Sequence, residues 1–475
     1  MKKKYAQLLK NTLLFGIGAF GSKILNFLFV PFYTNFLSTS DMGTADLVST
    51  TATLFAIGFT MDIMDATLLF VAEGKQKKED VLTVGIIVIL AASFFVSISL
   101  FVLKAANIVG MDALLLVFLF VLFFLNSYNR LFSYYLQAIN QVLEVSVAGI
   151  VQTFVTVGLN ILFIAIFHFG AYGYLMAVTT GLFASLFYEQ MSVRKSLERR
   201  LSIKAPSKKL YKEMLMFSFP LMLNSVFWWL NTSIDKYFVI GICGVEQNGI
   251  YSVAAKLPTL LTTILTIFLQ AWSVSAIKDY DKDDRDGFFG NTYEFFNALA
   301  TTLCSLLILL IIPLSRILFV KDFFIAWKPS AFLLLSGVFS ALSSFIGSIF
   351  SAVKNSKVFL ISTLAAAGVN MILNFFLIDH MGIIGAAVAT VASFAVVWII
   401  RYVLAAKYIN WQIHFFKHIF GYFLLAIQIL FSLQKSHVYA LQLAILCFII
   451  VVYWSQIKII LDRLGRILRR RIVRR

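Results

Sequence analysis

The sequence predicts an all-α integral membrane protein of about fourteen transmembrane helices, two six-helix lobes followed by a C-terminal helix pair. Four observations carry that expectation. Of the 475 residues, 60% are apolar and 13% charged, and mean hydropathy is +0.89, so polar surface is too scarce to cover a soluble globule. Apolar runs of about 20 residues, separated by short charged or Gly/Asn-rich breaks, match helices crossing a hydrocarbon layer about 30 Å thick. Period-two alternation is absent, which argues against a transmembrane barrel. Finally, the chain is written twice: FLSTSDMGTADLVST around Gly43 and GICGVEQNGIYSVAA around Gly249 lie 206 residues apart, and Asn160 and Gly173 recur as Asn370 and Gly385, at offsets of 210 and 212.

The first half is expected to span at 11–36, 43–72, 81–103, 113–138, 145–167 and 171–191, and the second at 214–240, 249–277, 290–315, 330–353, 358–378 and 382–404. Spans 417–433 and 438–458 fall outside the duplication. The expected domains are a first lobe at 1–191, a basic cytoplasmic linker at 192–213, a second lobe at 214–404, helices thirteen and fourteen within 405–458, and a basic amphipathic tail at 459–475. Each half holds an even number of spans, so both enter the membrane in the same direction and are related by an axis along its normal. Such a pair can enclose a cavity that opens to either side by rocking.

The N-terminus and every second connection carry 30 of the 40 Lys and Arg residues, whereas the opposite loops carry five, Lys104, Arg316, Lys321, Lys328 and Lys435. By the positive-inside rule both termini are cytoplasmic. Most of the +17 net charge is therefore a topology signal, and no nucleic-acid partner is inferred from it. In the tail, Arg463, Arg466, Arg469, Arg470 and Arg471 alternate with Ile460, Leu464, Ile467 and Leu468, which fits either an interfacial helix on anionic lipid or a plain topology anchor.

Gly16, Gly18 and Gly21 spell a dinucleotide fingerprint, but inside an apolar span with no preceding strand they serve close helix approach or bending. Lys2, Lys3 and Lys4 imitate a signal peptide; the run that follows is long, contains Lys23 and Asn26 and lacks a cleavage site, so it is read as span one. Cys243, Cys304 and Cys447 are scattered and form neither a disulfide framework nor a metal site. No catalytic motif, metal centre or cofactor is expected, and the outward loops are too short to hold a catalytic domain.

Charges inside the bilayer cost about 2.5–3.5 kcal/mol each on insertion scales. Asp62 and Asp65 share one face of span two, and Arg130 lies at similar depth in span four; Asp235 and Lys256 match in depth across spans seven and eight. These groups are either salt bridges that fix helix positions or cations lining a hydrated passage. Lys23 has no carboxylate at its depth in span two, since Asp46 sits near the outer end, so it leads the candidates for an anionic ligand. Asn26, Arg130, Lys236 and Lys256 follow. Asp62, Asp65 and Asp235 are candidates for H+ or Na+ coupling or for holding the bases. Glu144, Glu189, Glu294 and Arg401 fall near the cytoplasmic interface, where solvated charge is ordinary, and receive no role. Trp228 and Trp229 read first as packing residues, with an aromatic face for sugar stacking as the alternative.

The segment GIYSVAAKLPTLLTTILTIFLQAWSVSAIKDYDKDDRD, from Gly249 to Asp286, resembles bacterial Wzx-type polysaccharide-unit flippases of the multidrug/oligosaccharidyl-lipid/polysaccharide exporter superfamily. The matching residues include Tyr251, Ser252, Lys256, Pro258, Gln270, Trp272 and Ser275. SIDKY, Ser233 to Tyr237, resembles the family's S-D-R-Y element with Lys236 in place of Arg, and the segment holding Asp46 and Asp65 is similar to its span-two pattern. The resemblance implies two six-helix lobes in a V with the last pair outside. It also implies movement of undecaprenyl-diphosphate-linked oligosaccharide across the bacterial cytoplasmic membrane, ahead of a polysaccharide polymerase and chain-length proteins. A cation-coupled multidrug exporter of the same fold is the rival reading, and a membrane polymerase or ligase a more distant one.

Overall fold

The computed structural model describes residues 27–106, 110–197, 206–355, 357–434, 439–456 and 458, and among them every regular element is a helix. In chain order these are α1 (Val30–Phe36), α2 (Thr39–Phe59), α3 (Ile63–Glu73), α4 (Lys78–Ala105), α5 (Ala113–Ala138), α6 (Val142–Asn160) with a π-helical continuation Ile161–Ile166, and α7 (Gly170–Ser196). Then come α8 (Lys208–Cys243), α9 (Val245–Ala254), α10 (Lys256–Lys278), α11 (Phe288–Leu309), α12 (Ile311–Leu318), a 3-10 turn Lys321–Ala326, α13 (Trp327–Ala352), α14 (Lys357–Met381), α15 (Ile383–Ala405), α16 (Phe415–Ser432) and α17 (Tyr439–Val452).

Ten helices among the described residues are long and apolar enough to cross a membrane, or eleven if α2 and α3 count as one span. The expected fourteen are therefore not all accounted for. Span one lies mostly outside the described residues. Span seven corresponds to α8, whose 36 residues include Pro220 and the polar run Asn231 to Lys236, and span fourteen to the shorter α17.

Local chemistry explains the ends and the breaks. Ser38 and Asp41 form a capping box at α2, Ser38 Oγ accepting from the Asp41 amide at 3.0 Å and Asp41 Oδ2 from the Ser38 amide at 3.1 Å. Span two was expected to be continuous, yet α2 and α3 meet at 54°. Met61 and Asp62 take φ of +52° and +49°, a left-handed conformation costing roughly 1–2 kcal/mol per residue for side-chain-bearing residues. The hydrogen bonds of Asp62 described below offset that cost.

The chain forms two compact units, Gly21–Ser252 and the remainder from Val253 onward. In the first, one cluster joins Ala45, Val48, Leu119, Phe123 and Leu175, and another joins Met64, Val81, Leu131, Tyr135 and Val193 with Leu210 and Met214 of α8. Span seven thus belongs to the first unit, and the division falls after Ser252 rather than in the basic connection 192–213. In the second unit, α13 is the central helix, buried along nearly its whole length. Trp272 of α10 stacks on Phe345 at 4.1 Å and donates Nε1–H to the Phe345 carbonyl at 3.0 Å. A polar seam fastens α16 and α17 to α11: Glu294 accepts from His418 Nε2 at 2.8 Å and Gln456 Nε2 at 3.1 Å, and Ser305 Oγ donates to Gln428 Oε1 at 2.7 Å. Outward rings such as Phe94, Phe101, Phe154, Phe183, Phe375 and Phe423 are exposed, as a lipid-facing surface requires.

Candidate substrate and coupling site

The break between α2 and α3 places Asp62 among polar groups from two other helices. Its carboxylate, only 2% exposed, accepts a 2.8 Å hydrogen bond from Arg130 Nη2 of α5 and another at 2.8 Å from Ser225 Oγ of α8. Arg130 remains 32% exposed and lies over the Tyr134 ring at 5.8 Å. Asp65 is half-buried one turn along α3. The partner that the structure gives Arg130 is therefore Asp62, one of the two carboxylates that the sequence placed at its depth. The 54° bend turns Asp62 away from the simple i, i+3 relation with Asp65 that a continuous helix would impose.

A second cluster lies where α2, α8 and α9 meet. Lys236 Nζ donates to Asp46 Oδ1 at 2.9 Å and to Thr50 Oγ1 at 3.2 Å, and lysine and aspartate are 18% and 16% exposed. Asn248 Nδ2 bonds the Gly43 carbonyl at 3.1 Å and reaches Asp46 Oδ2 at 3.4 Å. Thr51 Oγ1 and the Tyr237 hydroxyl share a 2.6 Å bond. Beside it, buried Asp235 accepts from the Tyr251 hydroxyl. Arg130 and Lys236 are thus each matched by a carboxylate within hydrogen-bond reach, while both pairs keep some accessible surface.

Lys256, half-buried, opens α10 in the second unit, whereas Asp235 belongs to the first. Lys23 and Asn26 lie outside the described residues. Trp229 is buried beside Tyr237, centroids 5.8 Å apart, as expected of a packing residue. Sequence reasoning missed three charges by treating them as interfacial: Glu189, Glu294 and Arg401 are all buried. Their depth within α7, α11 and α15 was legible. Which helix face each occupied was not. Among the described residues no cluster of His, Cys, Asp and Glu could hold a metal.

The sequence profile of the family described as "Polysaccharide biosynthesis protein" matches residues 8–274. Among solved structures, the fold is similar to "Lipid II flippase MurJ, inward closed conformation", with a TM-score of 0.66 and 17% identity over 95% of this chain and 99% of that one. It is also similar to an inward-facing multidrug resistance MATE family transporter of the MOP superfamily, with a TM-score of 0.63 and 12% identity over 85% and 97%. "MATE transporter ClbM in complex with Rb+" gives a TM-score of 0.55 and 18% identity over 85% and 94%. No curated protein matches in sequence.

Proposed function

From the premise that the chain belongs to the polysaccharide biosynthesis protein family, we propose that it is a flippase moving undecaprenyl-diphosphate-linked oligosaccharide from the cytoplasmic to the outer leaflet by alternating access. The membrane is the bacterial cytoplasmic membrane, with both termini inside. A polymerase and chain-length proteins act downstream on the flipped unit. One protein of similar fold is named a lipid II flippase, which supports lipid movement by this architecture.

The observation that carries the reading is the pair of partly accessible intramembrane cations, Arg130 on Asp62 and Lys236 on Asp46. A diphosphate offers each of them an anionic acceptor with several oxygens, and guanidinium and ammonium groups bind it through charge-assisted hydrogen bonds. In the unloaded protein the carboxylates hold the bases in place; on loading, the diphosphate takes them over. Lys23 and Lys256 are further basic candidates for the anionic headgroup, with Asn26 as a neutral donor. Asp62, Asp65 and Asp235 then serve H+ or Na+ coupling or the retention of the bases.

Complementation of a strain lacking its own flippase tests this, with folding checked by thermal unfolding in detergent. Arg130→Ala and Lys236→Ala are each expected to slow surface-polysaccharide export by about tenfold or more, the loss of one charge-assisted contact of roughly 1.4 kcal/mol, while Lys236→Arg retains it. Lys23→Ala should behave as Lys236→Ala does. Wild-type export in all the alanine variants, or resistance to cationic drugs in place of polysaccharide export, would sink the assignment.

A further inference from the structure

Glu189 is a buried acid for which the transport scheme above provides no task. It lies in α7, a membrane-crossing helix, seven residues before its last residue, Ser196, and is 1% exposed. Oε1 accepts a 2.5 Å hydrogen bond from Ser133 Oγ of α5. Oε2 is buried with no hydrogen-bond partner among the described residues. One turn along the same seam, Asn129 Nδ2 donates to Ser185 Oγ at 2.9 Å.

Among the described residues, no charged or titratable group on the helices packed against α7 is seen to bond Glu189. On α5, Arg130 is held by Asp62, Tyr134 lies beside Arg130, Tyr135 is part of an apolar cluster, and the Tyr128 ring packs at a tilt against Phe124, centroids 4.7 Å apart. On α6, Glu144 accepts from Tyr188 and Ser192. On α2, Asp41 caps its own helix and accepts from the Ala171 amide, and Asp46 holds Lys236. The π-helical segment Ile161–Ile166 has no titratable residue. On α7 itself Arg194 and Lys195 are exposed, toward its end. Among the described residues Glu189 therefore has no ion pair. A bare carboxylate in that position would be a buried charge without compensation. A carboxylic acid fits, with one oxygen accepting from Ser133 and the other carrying hydrogen.

The duplication sharpens the point. Adding 212 to Glu189 gives Arg401, and adding 210 to Ser133 gives Ser343, the same offsets that relate Gly173 to Gly385 and Asn160 to Asn370. The second unit repeats the contact: Arg401, 3% exposed, donates Nη1–H to the Ser343 carbonyl and Nε–H to Ser362 Oγ, both at 3.0 Å, and lies 4.9 Å from the Phe359 ring centroid. Equivalent positions thus carry opposite chemistry. A guanidinium keeps its proton throughout the accessible pH range, so of the two sites only the one in the first unit can exchange a proton.

We propose that Glu189 is a proton-binding site of the transport cycle, occupied in the conformation described here and emptied when the seam between α5 and α7 admits water. The proton is taken from water and returned to water, and no bond other than O–H forms or breaks. Loading and release follow conformation because the ionised form is tolerated only in the hydrated state; coupling requires such a difference in affinity between states. The coupling role rests on the transporter reading above, whereas proton occupancy does not.

Two measurements on full-length protein separate these. In the infrared, wild-type protein at neutral pH should show the carbonyl band of a protonated carboxyl that Glu189→Gln lacks and that Ser133→Ala shifts in its pH of disappearance. Absence of that difference overturns the proposal whatever the substrate. In proteoliposomes loaded with an undecaprenyl-diphosphate-linked oligosaccharide, an imposed pH gradient should accelerate wild-type flipping several-fold and leave Glu189→Gln at its gradient-free rate. A full gradient response in Glu189→Gln overturns the coupling role. If wild-type protein moves no oligosaccharide, the flippase reading fails, and the infrared band still decides the proton site.

Discussion

Gly43 and Gly249 show how a repeat in the sequence becomes a contact. A methyl group on Gly43 would lie 2.0 Å from the Val245 carbonyl oxygen, and one on Gly249 would lie 1.9 Å from that of Thr39. Each glycine therefore abuts the carbonyl four residues before the other, a local two-fold arrangement between the starts of α2 and α9. Neither position admits a Cβ without moving backbone, so Gly43→Ala and Gly249→Ala should each cost about 1–3 kcal/mol, the usual range for overpacking, seen as a lower unfolding midpoint in detergent. A neutral result at both would mean that the two helices do not cross this closely. The same contact aligns Asn248 with the Gly43 carbonyl and with Asp46, which ties the glycines to the Lys236 cluster. Arg130 and Lys236 were visible in the sequence as intramembrane cations; their carboxylate partners depended on which helices meet.

At the scale of elements, helix starts were the most legible and helix breaks the least. Ser38 caps α2, its Oγ accepting from the Asp41 amide, four to five residues before the expected start of span two at 43. Asp112 caps α5 in the same way, accepting from the Leu115 amide at 2.8 Å, and also receives the Tyr172 hydroxyl from α7. The Tyr172 hydrogen bond, then the Leu115 amide, hold its carboxyl below the usual carboxylate range. With a depressed folded value, its contribution is present above the ordinary value of about 4 and is lost as pH falls through the lower folded one. Asp112→Ala should therefore cost about 1 kcal/mol at neutral pH, and the deficit should narrow on acidification below about pH 4, measured as unfolding midpoints across pH. A deficit that stays constant would remove the ionised carboxylate from the account. The α2–α3 bend carried no such signal. Thr60, Met61 and Asp62 contain neither Gly nor Pro, and the left-handed turn there is stabilised by Arg130 and Ser225, residues far away in sequence.

For the whole molecule, the distribution of Lys and Arg makes a direct prediction. Starting from a variant without Cys243, Cys304 and Cys447, single cysteines at Lys75 and Lys282 should react with a membrane-impermeant thiol reagent only from the cytoplasmic side, and one at Lys104 only from outside; reversed labelling would invert the proposed topology. Composition, run length and the 206 to 212-residue duplication by themselves determined a helical membrane protein built from two related halves, because the bilayer forces backbone bonds inside each span and makes span length a local property. The grouping of helices was not local. Leu210 and Met214 bring α8 into the first unit, and the polar seam around Glu294 fastens α16 and α17 to α11. Likewise, depth along a span could be counted from the sequence, but the burial of Glu189 and Arg401 depended on the facing helix. Only tertiary structure decides which side of a helix meets lipid and which meets a neighbour, because in a chain this apolar both sides look alike.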